Sequence, residues 1–182
     1  MKKRTSPTAP EWPPESLELE RAIGKFVISW AILELQIDLF IEDLVRGDDL
    51  IGRAVAAHLA AKAKLDLAQG LMHVRNDVLG EGLVLRADKL VARTNKAAGD
   101  SRNFIAHGKP MPVDMEGFGG EVVWFWTQFR ARKGGMLGSG IKLGPGALEE
   151  INETTKLLVN DWHQLRCDIQ KGLELADLIA RG

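Results

Sequence analysis

A chain of 182 residues and 20.0 kDa is long enough to bury one substantial core and short for two. Lys and Arg number 24 against 25 Asp and Glu, a net charge of -1, which excludes a global field that gathers polyanions, so any nucleic-acid contact has to come from a local patch. The single Cys167 excludes an intramolecular disulfide, no Cys/His cluster has zinc spacing, and no apolar run reaches bilayer length. These absences read as a cytoplasmic protein without a membrane segment, metal or cofactor.

Residues 1 to 15, "MKKRTSPTAPEWPPE", are rich in Pro, Ser and Thr and read as a flexible arm, with Trp12 available to pin it. A single domain then covers 16 to 182. Ser16 is an N-cap for a first helix in which Leu19, Ile23, Phe26, Trp30, Leu33, Ile37, Phe40 and Leu44 recur every three or four residues, ending near Gly47. Glu34 and Asp38 fall on its other sides; Glu34 reads as an ordinary solvated carboxylate, with an approach to the site on the third helix as the alternative. The Ala- and Leu-rich stretch from Leu50 to Asp77 is helical by propensity; Gly52 and Gly70 weaken it, so it forms two helices or one bent one. After the break "VLGEG", a third long helix runs from about Val84 to His107, with Gly108 as its stop and Pro110 just beyond.

The next segment changes character. "EVVWFWTQFRAR" is rich in Val, Thr and aromatics between glycines and reads as a strand, with Trp124, Trp126 and Gln128 on one face. "KGGMLGSG" turns it into a short second strand, "IKL", giving a hairpin over about 121–143. Leu148, Ile151, Thr155, Leu158, Trp162, Leu165, Ile169, Leu173, Ala176 and Ile179 then mark a last long amphipathic helix. The fold class expected is all-α, an up-down bundle of four to five helices with a β-hairpin insertion before the last helix.

The third helix carries the chemistry. A wheel at about 100° per residue places Ala87, Leu90, Val91, Thr94, Ala97, Ala98, Phe104 and Ile105 on the bundle face. The opposite arc carries Lys89, Arg93, Lys96, Asn103 and His107, with Arg102 at its edge. Asn103 and His107 are four apart and therefore neighbours. Arg102 is rotated from His107 by about 140°, a gap its long stem can close. A guanidinium that binds phosphate with paired hydrogen bonds, an imidazole that titrates near neutrality and an amide that fixes an oxygen or a tautomer suit phosphodiester chemistry without a metal. Lys89, Arg93 and Lys96 supply the local basic stripe that RNA binding needs. From physical chemistry alone the macrodipole also accounts for a histidine near a helix C-terminus.

The order Arg102, Asn103, three residues, His107, Gly108, near the end of the third long helix, resembles the HEPN superfamily. Its motif is Arg, four to six residues, then His, often with a polar residue beside the Arg. The opening helix "SWAILELQIDLFIEDL" is similar too, and the resemblance covers roughly residues 16 to 180. It implies an all-α bundle that forms a homodimer with motif helices meeting about a twofold axis. It further implies metal-independent endoribonuclease chemistry, often in toxin–antitoxin or phage-defence systems, that leaves a 2′,3′-cyclic phosphate. His107 would transfer protons, Arg102 would hold the phosphate and stabilise the transition state, and Asn103 would position substrate or histidine. Some members do not cut RNA; they bind it, or serve as partners of nucleotidyltransferases. A catalytically silent helical module that binds a protein or nucleotide partner is therefore the alternative.

Overall fold

A computed structural model describes residues 16–45, 49–107, 109–114, 122–132, 135–142 and 145–181. Helix α1 (Ser16–Val45) is followed by α2 (Asp49–Ala57), α3 (Ala61–Val74), a single turn α4 (Asn76–Leu79) and α5 (Glu81–Ala97). A π-helical turn over Ala98–Arg102 leads into α6 (Asn103–His107). Strands β1 (Lys109–Asp114), β2 (Val122–Arg132) and β3 (Gly135–Lys142) precede α7 (Pro145–Arg181). The bundle is all-α, and no helix among the described residues is long and apolar enough to cross a membrane. Trp12, with the rest of the arm, lies outside the described residues.

Two long helices set the frame. In α1, Leu19, Phe26, Trp30, Leu33, Ile37, Phe40 and Leu44 are buried and Ile23 is half-buried. This is what apolar side chains at a period of 3.6 produce once one stripe is withdrawn from water. In α7 the stripe from Leu148 through Leu158, Trp162, Leu165 and Ile169 to Leu173 is buried. Pro145 begins that helix, where its fixed φ suits the first turn and its missing N–H is not needed. Ser29 Oγ donates to Asn152 Oδ1 at 2.7 Å, and Arg166 Nε donates to Asp43 Oδ2 at 2.6 Å; both pairs are 123 residues apart. A constant offset means that α1 and α7 run in the same direction. Along α5 the partners run the other way: Arg86 meets Asp168, and Arg93 meets Asp161.

Trp162 joins these three helices. Its ring meets Phe40 of α1 edge to face, with centroids 4.9 Å apart. Its Nε1–H donates to Thr94 Oγ1 of α5 at 3.0 Å, and that hydroxyl donates to the Leu90 carbonyl at 2.8 Å. A buried indole N–H needs such a partner. With the offset of 123, α1 runs out opposite Asp168. Further on, α7 has Leu79 of α4 against Gly172, and Ile179, read from periodicity as a stripe residue, is exposed.

Three departures from the sequence reading have physical causes. The Ala-rich stretch breaks at residues 58–60 and again at Arg75, not at its glycines. Gly70 sits inside α3, and Gly52 is buried where a Cβ would meet the Glu42 Cα at 2.8 Å. That glycine is there for close approach. The third helix is not continuous, because the π turn interrupts it at Ala98–Arg102. Between α6 and α7 the strands form one antiparallel sheet in the order β1-β2-β3, with Lys109 opposite Thr127 and Arg132 opposite Gly135. Strand β1 contains Pro110, which had read only as lying just beyond the helix stop, and Pro112; at a sheet edge a missing N–H costs no ladder bond. The side chains of Trp124, Trp126 and Gln128 lie outside the description.

Candidate functional site

Arg102 is the last residue of the π turn. Such a turn closes i→i+5 bonds and inserts an extra residue into a helix, so a wheel drawn at uniform pitch loses its phase there. Upstream of it Ala87, Leu90, Val91 and Thr94 are buried; Ala97 and Ala98 pack partly buried against the core. Downstream, Ile105 is buried, while the side chains of Phe104 and His107 lie outside the description.

The Arg102 side chain turns toward α1. Its Nη2 lies 3.8 Å from Glu34 Oε1, and both side chains are about a third exposed. The same oxygen accepts a hydrogen bond from Trp30 Nε1 at 2.8 Å, so the carboxylate is held from the core side. Arg102 Nη1 donates to Asn103 Oδ1 at 3.4 Å, a long bond that leaves the guanidinium with donors to spare. Glu34 therefore belongs to the immediate surroundings of the motif, the alternative to its reading as a solvated carboxylate. The available signal was its place four residues after Trp30, one turn along α1, where an indole N–H at the edge of the core can reach it.

Asn103 opens α6 and His107 closes it, four residues apart on one short helix. Lys109 follows almost at once as the start of β1, and β2 runs beside α6. The motif thus stands where the bundle hands over to the sheet.

The basic stripe is placed elsewhere. Arg93 Nη1 is 2.6 Å from Asp161 Oδ2 on α7. Lys89 and Arg93 line a cleft of about 260 Å³ between α5 and α7, with Arg86, Leu90, Asp161, Gln164 and Leu165. Arg93 and Lys96 line a neighbouring groove of about 500 Å³ that includes Ala97, Asp100 and Ser101 on one wall and Ile151, Thr155 and Leu158 on the other. Arg102 lines neither; it faces α1, whereas the stripe faces α7.

Two other clusters are on the surface. His73 Nε2 lies 3.1 Å from Asp88 Oδ1, which also accepts from Gln69 at 2.7 Å. Cys167 Sγ lies 3.8 Å from His163 Nε2, one turn back on α7. Among the described residues no three His, Cys, Asp or Glu side chains gather as a metal site. No family model matches this chain, and neither does any curated protein or solved structure.

Proposed function

We propose that the protein is a HEPN-like, metal-independent endoribonuclease that works as a homodimer in the cytoplasm. In this reading the 2′-hydroxyl attacks the adjacent phosphorus, the bond to the 5′-oxygen breaks, and a 2′,3′-cyclic phosphate and a 5′-hydroxyl result. His107 takes the proton from the attacking hydroxyl or returns one to the leaving oxygen. Arg102 holds the phosphate and the charge that grows on it, and Asn103 orients substrate or imidazole. Lys89, Arg93 and Lys96 guide RNA, and an antitoxin or nucleotidyltransferase is the partner class. No cofactor enters.

The observation that carries this reading is the Arg102 side chain, about a third exposed and steadied by Glu34 at 3.8 Å and Asn103 at 3.4 Å, one short helix away from a histidine. Neither contact is close enough to use the guanidinium up. A second reading, a silent helical module that binds a protein or nucleotide partner, draws on the same ion pairs. Glu34 beside Arg102 and Asp161 beside Arg93 offset the positive charge that RNA would meet.

The test is cleavage of a mixed RNA in excess EDTA, with the product ends identified. The ribonuclease reading expects 2′,3′-cyclic phosphate ends and no cleavage at a position carrying a 2′-deoxy sugar. Cleavage that requires magnesium or continues past the deoxy substitution overturns it. An uncut RNA with an intact parent protein favours the silent module.

A further inference from the structure

Toward their N-terminal ends, α1 and α7 leave a pocket of about 450 Å³ between them, a volume within the range of small-molecule sites. Part of its lining is polar and buried. Asn152 is 5% exposed and Ser29 9%, and both line the pocket. Ser29 Oγ donates to Asn152 Oδ1 at 2.7 Å. Asn152 Nδ2 has no hydrogen-bond partner among the described residues. An amide withdrawn this far from water needs an acceptor for its N–H groups. Ser29 stands on the carbonyl side, so the pocket is the side from which an acceptor can arrive.

The walls carry both signs of charge. Ser29 stands opposite Asn152 at an offset of 123 residues, which sets Lys25 level with Leu148, one residue from Glu149. Lys25 and Glu149 therefore line opposite walls at the same end of the pocket. Neither has an ion-pair partner among the described residues. At the other end Lys156 is held by Glu153, Nζ to Oε1 at 2.6 Å. Ile28, which is 64% exposed, gives the α1 wall an apolar surface beside Ser29.

We propose that this pocket binds a free α-amino acid with an aliphatic side chain. A carboxylate is the acceptor that Asn152 Nδ2 and the Lys25 ammonium can share, and hydrogen bonds to a charged acceptor are the strong ones. The amino group, one carbon away, meets the Glu149 carboxylate on the opposite wall. The side chain lies on Ile28, beside the aliphatic stems of the two lysines. A simple anion would leave Glu149 against it, and a simple amine would leave the buried amide without an acceptor. A direct bond between Lys25 and Glu149 would satisfy those two charges and still leave Asn152 Nδ2 unpaired. The site is separate from the motif: on α1, Glu34 is turned by about 140° from Ser29. It does not rest on the ribonuclease reading.

The experiment is calorimetry and thermal melting with L-leucine, N-acetyl-leucine and leucinamide, and it involves no RNA. Leucine should bind and raise the midpoint with concentration, as any ligand of the folded state alone does. N-acetyl-leucine, without the ammonium, and leucinamide, without the carboxylate, should each bind at least about tenfold more weakly. Lys25→Gln and Glu149→Gln, both on exposed residues, should each weaken leucine binding. Lys25→Gln should leave the residual affinity for leucinamide unchanged, and Glu149→Gln that for N-acetyl-leucine, because each variant removes the partner of a charge that the derivative already lacks. Asn152→Asp keeps an acceptor for Ser29 and sets a like charge against the ligand carboxylate, so leucine binding should vanish. Should that variant unfold, the two surface variants decide. Millimolar leucine that gives neither heat nor a midpoint shift overturns the proposal and leaves the pocket to water. Leucine binding that survives both surface variants unchanged overturns it too, by placing the amino acid elsewhere. N-acetyl-leucine that binds as tightly as leucine does the same, since the pocket is then a site for anions.

Discussion

Glu34 is anchored to the core by Trp30 and in turn steadies Arg102, which makes two variants informative as a pair. If Arg102 holds the phosphate as proposed, Arg102→Ala should slow RNA cleavage by about 100- to 1,000-fold. A pair this far apart and this exposed contributes little to folding, so stability should change by less than about 1 kcal/mol. Glu34→Gln keeps the size and the hydrogen bond from Trp30 but drops the charge that steadies the guanidinium. Cleavage should fall, by less than in Arg102→Ala, with the melting midpoint unchanged. His107→Ala should cost about 100- to 10,000-fold if it moves the proton. Cleavage by His107→Ala at the parent rate would assign the activity to another site or to a contaminant. Inside the core the balance reverses. Thr94→Val removes the acceptor of the Trp162 indole N–H and leaves a buried donor unpaired, at a cost of about 1 to 3 kcal/mol. In a chain of this length that is roughly a 2 to 12 °C lower midpoint.

The π turn between α5 and α6 is the element on which the candidate site depends. It holds an extra residue within the helix, so everything after it is turned relative to a regular α-helix. Deleting Gly99, exposed and without a neighbour at its Cβ position, should let the segment close as α-helix. Asn103 and His107 would then rotate by about 100° against α5. The same rotation carries Ile105 out of its buried place in the core, so the midpoint should fall as well, while cleavage disappears. Full activity in the deletion variant would show that the turn does not set the site. The same turn marks the limit of the sequence reading. The period of α1 and α7 was legible because each stripe obeys one pitch, from Leu19 to Leu44 in α1 and from Leu148 to Leu173 in α7. Arg102 and Asn103 were legible as neighbours because they are adjacent in the chain. For Glu34 two readings stayed open, since its approach to Arg102 depends on how α1 lies against α6, and periodicity within one helix carries no such information. Strand β1 was not legible, since its prolines signal a break in any central strand and are harmless only at a sheet edge.

Across the whole molecule, α7 is joined by cross-helix ion pairs to the parallel α1, through Arg166 and Asp43, and to the antiparallel α5, through Arg86 and Arg93, and these make stability respond to acid. Arg86 Nη1 lies 2.8 Å from Asp168 Oδ2. The hydrogen bond from Arg86 is the chief reason that the Asp168 carboxyl titrates below the usual carboxylate range; Gln164 and the charges of Arg86 and Lys171 act in the same direction, against some desolvation. A carboxyl depressed in the folded state adds stability that is present above its unfolded value, about 3.9, and lost as the pH falls through the lowered folded value. Arg86→Gln should therefore melt slightly below the parent at pH 7 and at the same temperature once the pH is well under 4. Molar salt should also erase the difference at pH 7, since exposed charges are screened. A gap that persists in acid would assign the effect to packing of the Arg86 stem, not to charge.

The far end of α7 answers a different question, namely where the folded unit stops. Past the point opposite Asp168, α1 has ended, and past Gly172 the α4 contact at Leu79 has ended as well. Leu175, Leu178 and Ile179 are 60 to 73% exposed. Burying a leucine or isoleucine contributes about 1.5 to 3 kcal/mol, and side chains this open forgo most of it. Truncation after Glu174 should accordingly leave the melting midpoint within about 2 °C of the parent and leave the mass in solution unchanged. The truncated chain keeps Leu173, Ile169 and Trp162, which are the contacts that tie α7 to the bundle. A drop of many degrees would mean that these last two turns are packed in the assembled protein. A drop in mass without a drop in midpoint would place a subunit contact at this end.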